Sequence, residues 1–128
     1  MSEHYEVGQI VTGIYKTGKY IGEITEIKPE RYVVKVLAVL KHPQQGDLHQ
    51  AKSAHVPFFH ERRALAYREK TNIPNVYVKS YDGDIPEYKE SLRIAVDEQK
   101  EALEKDGSEW AAKSLEILQS LEKDYFKS

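Results

Sequence analysis

The chain has 128 residues, 40% of them hydrophobic and 31% charged, with a formal net charge of −2. That balance excludes a disordered polypeptide and supplies enough apolar mass for a packed core without staples. The absence of cysteine excludes disulfides, thiolate metal sites and a cysteine nucleophile, and suits a reducing compartment.

The opening residues, MSEHYEVGQIV, are acidic where a secretory leader needs positive charge, and no long apolar run follows. Residues 10–15 read as a strand, and Thr17-Gly18 as the turn after it. Residues 19–27 alternate, with Ile21, Thr25 and Ile27 on one face and Tyr20 and Ile24 on the other. Gly22 inside that run predicts a bulge or sharp bend. Pro29 and Glu30 make a short hairpin connection. In RYVVKVLAVL (residues 31–40), Tyr32, Val34, Val36 and Leu40 share one face. The other face is wet at Lys35 but apolar at Leu37 and Val39, as in a strand whose far end is covered by another layer.

Residues 41–53 form a long polar loop with Pro43 and Gly46, and long loops commonly carry function. Residues 55–59 read as an edge strand, given Pro57. In residues 63–68, Leu65 and Tyr67 alternate with smaller or charged residues, which predicts a strand. Residues 76–78 are expected to be a short final strand.

From Tyr81 the pattern is helical. Asp82-Gly83 turns the chain. Asp84 and Glu87 have capping-box spacing, with Pro86 in the first turn. Tyr88, Leu92, Ala95, Val96, Gln99, Ala102 and Leu103 recur on one face. Asp106-Gly107 ends this helix and Ser108 caps the next, whose stripe is Trp110, Ala111, Leu115, Leu118, Leu121 and Tyr125. Two helices joined so tightly must run antiparallel, and their shared apolar face must dock elsewhere. The expected fold is therefore α+β, mainly β. A small barrel over residues 1–80 is followed by an α-helical hairpin over residues 81–128, packed on it. Residues 1–80 carry twelve Lys and Arg against eight Asp and Glu, and residues 81–128 seven against thirteen, which predicts either that the two parts attract each other or that the basic part favours an acidic partner.

The chemistry-bearing residues concentrate in KHPQQGDLHQAKSAHVPFFHERRALAYREK, residues 41–70. His42, Asp47, His49, His55, His60 and Glu61 are metal-ligand types, but no fixed-offset ligand motif joins them. No serine sits in a GxSxG elbow, and the scattered glycines form no phosphate loop. Neither helix has a histidine to accept a phosphoryl group. No catalytic residue, metal or cofactor is expected. Tyr15, Tyr20, Tyr32 and Tyr67, with Arg31, Lys16 and Lys19, would form the face of a single-stranded nucleic-acid-binding barrel. That is the alternative reading, and its signature is steep salt dependence. Dense Arg and aromatic residues fit a protein contact better. The contact candidates are Phe59, His60, Arg62, Arg63, Tyr67 and Arg68, together with Asp47 and His49.

Four stretches carry a family resemblance: GQIVTGIYKTGKYIGE, VLAVLKHPQQGDLH, FFHERRALAYREKTNIP and SLEKDYFK. Together they resemble the kinase-associated protein B family over essentially the whole chain. The resemblance implies an SH3-like barrel with a helical hairpin. It also implies a non-catalytic regulator required by a membrane-bound sensor histidine kinase that feeds the sporulation phosphorelay. The family has been described as a lipoprotein, yet this sequence has no cysteine to acylate, so a cytoplasmic protein visiting a membrane-bound kinase is expected. Neither a small-molecule substrate nor nucleic acid is expected, and a homodimer through the hairpin is open.

Overall fold

A computed structural model describes residues 4–46, 59 and 61–127. Five strands form one antiparallel sheet in the order β4-β3-β2-β1-β5. They are β1 (Ile10–Tyr15), β2 (Gly18–Lys28), β3 (Arg31–Lys41), β4 (Lys70–Pro74) and β5 (Val78–Ser80). Two helices follow, α1 (Tyr88–Asp106) and α2 (Glu109–Tyr125). This is the mainly-β α+β architecture expected.

The β1–β2 turn lies one residue earlier than the sequence suggests. Lys16 and Thr17 both take positive φ, 45° and 70°, as a two-residue turn of right-handed twist requires. A β-branched residue rarely sits there. Thr17 is held by its hydroxyl, which accepts from Gln44 N at 2.9 Å. The β2–β3 hairpin turns at Pro29–Glu30, as expected. Its register shifts between Ile21 and Gly22, so the glycine does mark an irregularity. The shift has a consequence that period-two counting misses. Tyr20 and Ile21 are both buried, and so are Ala38 and Val39, while Leu40 is 37% exposed instead of facing the core.

Two strand expectations need correction, and a third cannot be compared. Residues 63–68 are not a strand: 61–66 are irregular and 67–68 form a turn. The strand is β4, whose alternation is almost hidden because only Ile73 is buried in it. Residues 75–77 form a 3-10 helix, and the last strand begins at Val78. The edge strand expected at residues 55–59 lies outside the described residues except for Phe59.

β4 and β5 are the two edges of the sheet, yet only the 3-10 helix Asn75–Tyr77 separates them in sequence. The sheet must therefore curl, and Ile73 of one edge reaches across to Gly13 of β1. Inside the curl lie Tyr5, Val11, Ile24, Tyr32, Val34, Ile73 and Val78. A second core joins Tyr20, Val36 and Val39 of the sheet to Leu92, Ala95, Val96 and Leu103 of α1 and to Trp110, Ala111 and Leu118 of α2. The covered far end of β3 is thus covered by the hairpin. Ser91 fixes the docking: its buried Oγ accepts from Val39 N at 2.9 Å and donates to Tyr88 O at 2.7 Å.

The helix ends follow their sequence signals in part. Gly107 ends α1 in the left-handed region, with φ 69°. Ser108 caps α2 by accepting from Ala111 N at 3.1 Å. The capping box at Asp84 does not form. Glu87 occupies the N-cap without a side-chain bond, and Asp84 instead accepts the Tyr81 hydroxyl at its carbonyl.

Candidate functional site

Residues 61–69 cross the molecule between sheet and hairpin without regular structure, so their backbone donors need other partners. Gln45 clasps Arg62 from both sides: Arg62 N donates to its Oε1 at 2.7 Å, and its Nε2 donates to Arg62 O at 3.0 Å. Ala64 N donates to the Tyr125 hydroxyl at 2.8 Å, and Leu65 N to that of Tyr20 at 3.3 Å. The Tyr88 hydroxyl donates to Leu65 O. Arg68 N donates to Val36 O at 2.7 Å. Tyrosine hydroxyls here replace a strand partner.

Those phenols stay protonated. Burial pushes Tyr20 up to about 12 and raises Tyr88 and Tyr125 as well. The Tyr125 hydroxyl also meets His42 Nε2 at 2.9 Å, and His42 Nδ1 lies 2.9 Å from Pro43 O. The carbonyl can only accept, so Nδ1 carries the proton and Nε2 accepts from Tyr125. His42 is fully buried, and burial holds its pKa below the usual histidine value. Both ring nitrogens are engaged within the protein, so His42 is a structural hub. Glu61 is exposed; His49, His55, His60 and Asp47 of the same metal-ligand set lie outside the described residues.

The contact candidates separate by environment. Arg62 is half-buried, and its Nη2 donates to Gly46 O at 3.0 Å. Phe59 is half-buried against the second core and lies under Lys113 Nζ, 4.6 Å from the ring centroid. Arg63 is exposed, pairs with Asp124 at 2.6 Å and lies over the Tyr125 ring. Tyr67 is 56% exposed and tilts against Tyr88, with ring centroids 5.8 Å apart. Arg68 is exposed at φ 69°. Tyr67 and Arg68 are therefore presented outward by a backbone fixed beneath them.

This division gives a test of stability. Arg62→Ala should cost about 1–3 kcal/mol, because a carbonyl loses its partner in a half-buried site. Arg63→Ala, at an exposed ion pair, should leave the melting temperature nearly unchanged. Thermal melts of both variants check the ranking, and equal losses would contradict it.

Beside Tyr67 an apolar groove of about 720 Å³ opens between Leu37, Ile85, Pro86 and Tyr88, with Glu87 and Lys89 at its rim. Ile85 is 44% exposed. Nothing local in the chain marks Ile85 and Pro86 for this groove, since their pattern reads as a helix start. The tyrosines proposed for nucleic-acid stacking do not gather on one face: Tyr20 and Tyr32 are buried in separate cores. Among the described residues one ion pair, Arg63–Asp124, joins the barrel part to the acidic hairpin.

Comparison with known proteins adds a lineage. The family described as Kinase associated protein B matches residues 15–126. A Bacillus subtilis (strain 168) protein named Kinase-associated lipoprotein B is 62% identical over 122 residues, covering 95% of each chain. The crystal structure of kinase-associated protein B from Bacillus cereus is 54% identical, with a TM-score of 0.81. The match covers 95% of this chain and 98% of that one.

Proposed function

The chain belongs to the kinase-associated protein B family, and from that membership we propose a non-catalytic binding module that supports a sensor histidine kinase. The finer reading is that the kinase is membrane-bound and feeds the sporulation phosphorelay. In this reading the module acts from the cytoplasm and meets the membrane only through its kinase. We further read the curled sheet as an SH3-like barrel, supported by the three-residue link between its edge strands.

The observation that carries the reading is the exposed Tyr67–Ile85 groove. An aromatic anchor beside an apolar trough, rimmed by Glu87 and Lys89, has the composition of an interface centre with a charged rim. Its fixed backbone lowers the ordering cost of binding. The module shifts the kinase only as far as it prefers one kinase state to another.

The test is association with the purified cytoplasmic part of the kinase, measured by titration. Tyr67→Ala with Ile85→Ala should weaken binding by about 2 kcal/mol or more, roughly thirtyfold. Both side chains are about half in water, so the melting temperature should move little. Undiminished affinity in the double variant contradicts the reading. Protein–protein crosslinks mapping only between copies of this chain would replace it with a homodimer.

A further inference from the structure

We propose that the partner element this protein receives is a basic amphipathic helix, lying along the seam between α1 and the end of β3. The proposal rests on the kinase-contact reading of the Tyr67–Ile85 groove and extends that surface past Leu40.

β3 carries an extra residue at two places in its ladder with β2. Ile21 pairs with Ala38 and Gly22 with Val36, which passes over Leu37; Lys19 pairs with Lys41 and Tyr20 with Val39, which passes over Leu40. A bulged residue leaves the alternation, and its side chain is re-aimed. Leu37 is half-buried and walls the groove beside Tyr67. Leu40 is 37% exposed and walls a second open depression, together with Ala95 and Ala102 of α1. Contacts between helix and strand advance in step. Tyr88 lines the groove with Leu37, Ser91 Oγ accepts from Val39 N, Ala95 lines the second depression with Leu40, and Gln99 Nε2 donates to His42 O. Tyr88 to Gln99 along a helix and Leu37 to His42 along a strand are both about 16 Å. α1 and β3 therefore run side by side, and the two depressions open at successive points of one seam.

Backbone chemistry selects a helix as the occupant. The β3 amides along the seam are taken, Val36 N by Glu69 O and Val39 N by Ser91 Oγ. A strand laid there would find no ladder to join, whereas a helix satisfies its own backbone. Leu37 and Leu40 lie about 10 Å apart along the strand, the rise of about seven helical residues. Apolar side chains at i and i+7 of the partner thus meet one leucine each.

Charge selects its sign. Glu87 borders the groove, and Glu98 and Asp106 border the second depression against Lys41. The cations of α1 turn to α2: Lys89, although at the groove rim, donates its Nζ to Tyr125 O, and Arg93 and Lys100 pair with Glu122. Ile94, 57% exposed, shares a helix face with Glu87 and Glu98. An apolar floor with an acidic rim is complementary to an apolar stripe flanked by Lys or Arg.

The probe is a peptide of about twenty residues with leucine at i, i+4, i+7 and i+11 and lysine at most other positions. One counterpart carries glutamate for lysine; another keeps the composition and scrambles the leucines. Titrated into the protein, the lysine peptide should bind saturably and gain helical circular dichroism beyond the sum of the components, and neither counterpart should. Leu40→Gln with Glu98→Lys should weaken it at least about tenfold and weaken the kinase's cytoplasmic part to a like degree. Both positions are exposed, so the melting temperature should move little. No saturable binding, equal binding of all three peptides, or binding without helix gain overturns the proposal. A kinase weakened by Tyr67→Ala with Ile85→Ala but not by Leu40→Gln with Glu98→Lys overturns the helix along the seam and leaves the contact reading in place. Loss of the lysine peptide in both double variants, with the kinase indifferent to both, keeps the helix-binding seam and removes the kinase as its partner.

Discussion

Gly22→Ala should cost about 3 kcal/mol or more, the upper range for forcing extra atoms into a packed site. A Cβ on Gly22 would lie 2.5 Å from Val34 Cγ1 and 2.6 Å from Lys35 O. The valine methyl can rotate away, but the carbonyl belongs to the β3 backbone and cannot retreat without breaking the β2–β3 ladder. That ladder already shifts register between Ile21 and Gly22, and the shift lets both Tyr20 and Ile21 be buried. The added methyl therefore strikes the bend where the sheet passes from its inner core to the core under the hairpin. Gly107→Ala is the control. Its φ is 69° but nothing lies within 4 Å of the added Cβ, so only left-handed strain remains, about 1 kcal/mol. Urea unfolding of the two variants should separate them clearly. If Gly22→Ala costs no more than Gly107→Ala, the close approach of the strands does not exist.

The same glycine shows which parts of the structure sequence reading could reach. Its position within an apolar run was enough to place a bulge. The helices and the Gly107–Ser108 connection were equally legible, because 3.6-residue periodicity and capping are local properties. What escaped depends on distant partners. β4 has one buried residue, Ile73, and becomes a strand only because β3 offers it an edge. Residues 63–68 alternate like a strand, but their backbone donors find Tyr20, Tyr125 and the Val36 carbonyl, supplied from far along the chain. Periodicity placed Tyr88 and Tyr125 on apolar stripes without showing where their hydroxyls go.

The contact candidates divide for the same reason. Composition marked residues 59–68 as rich in Arg and aromatic groups, yet could not say which side chains turn inward. Arg62 turns to Gly46, while Tyr67 and Arg68 turn to water. At the second of these places Arg68 takes positive φ and its N–H returns to Val36 O. Asp47, His49 and His60 lie outside the described residues. The groove beside Tyr67 is completed by Ile85 and Pro86, from the stretch between β5 and α1. No local pattern joins those two parts of the sequence.

Tyr125→Phe is the second large effect, a loss of about 2–4 kcal/mol, since two inward polar groups lose their partner at once. The hydroxyl accepts from Ala64 N and donates to His42 Nε2, tying residues 61–66, the end of β3 and α2 together. Tyr88→Phe makes the natural comparison: it deprives only Leu65 O of a donor and should cost about 1 kcal/mol. The hub also sets an acid dependence. Burial lowers the folded pKa of His42 below 6.5, so the unfolded chain binds the proton more readily. The stabilisation is whole above about 6.5 and is lost as pH falls from there through the folded value. Glu122 acts in a lower window. Burial pushes its carboxyl up, but Arg93 and Lys100 outweigh burial and hold it below 4.5, so its share disappears only as the medium becomes more acidic than that. Urea midpoints should thus decline between pH 7 and 5 in the parent, and His42→Gln, which cannot titrate, should flatten that limb while leaving the carboxylate limb intact. A parent midpoint that holds constant from pH 7 to 5 would mean that His42 is not buried as a neutral ring.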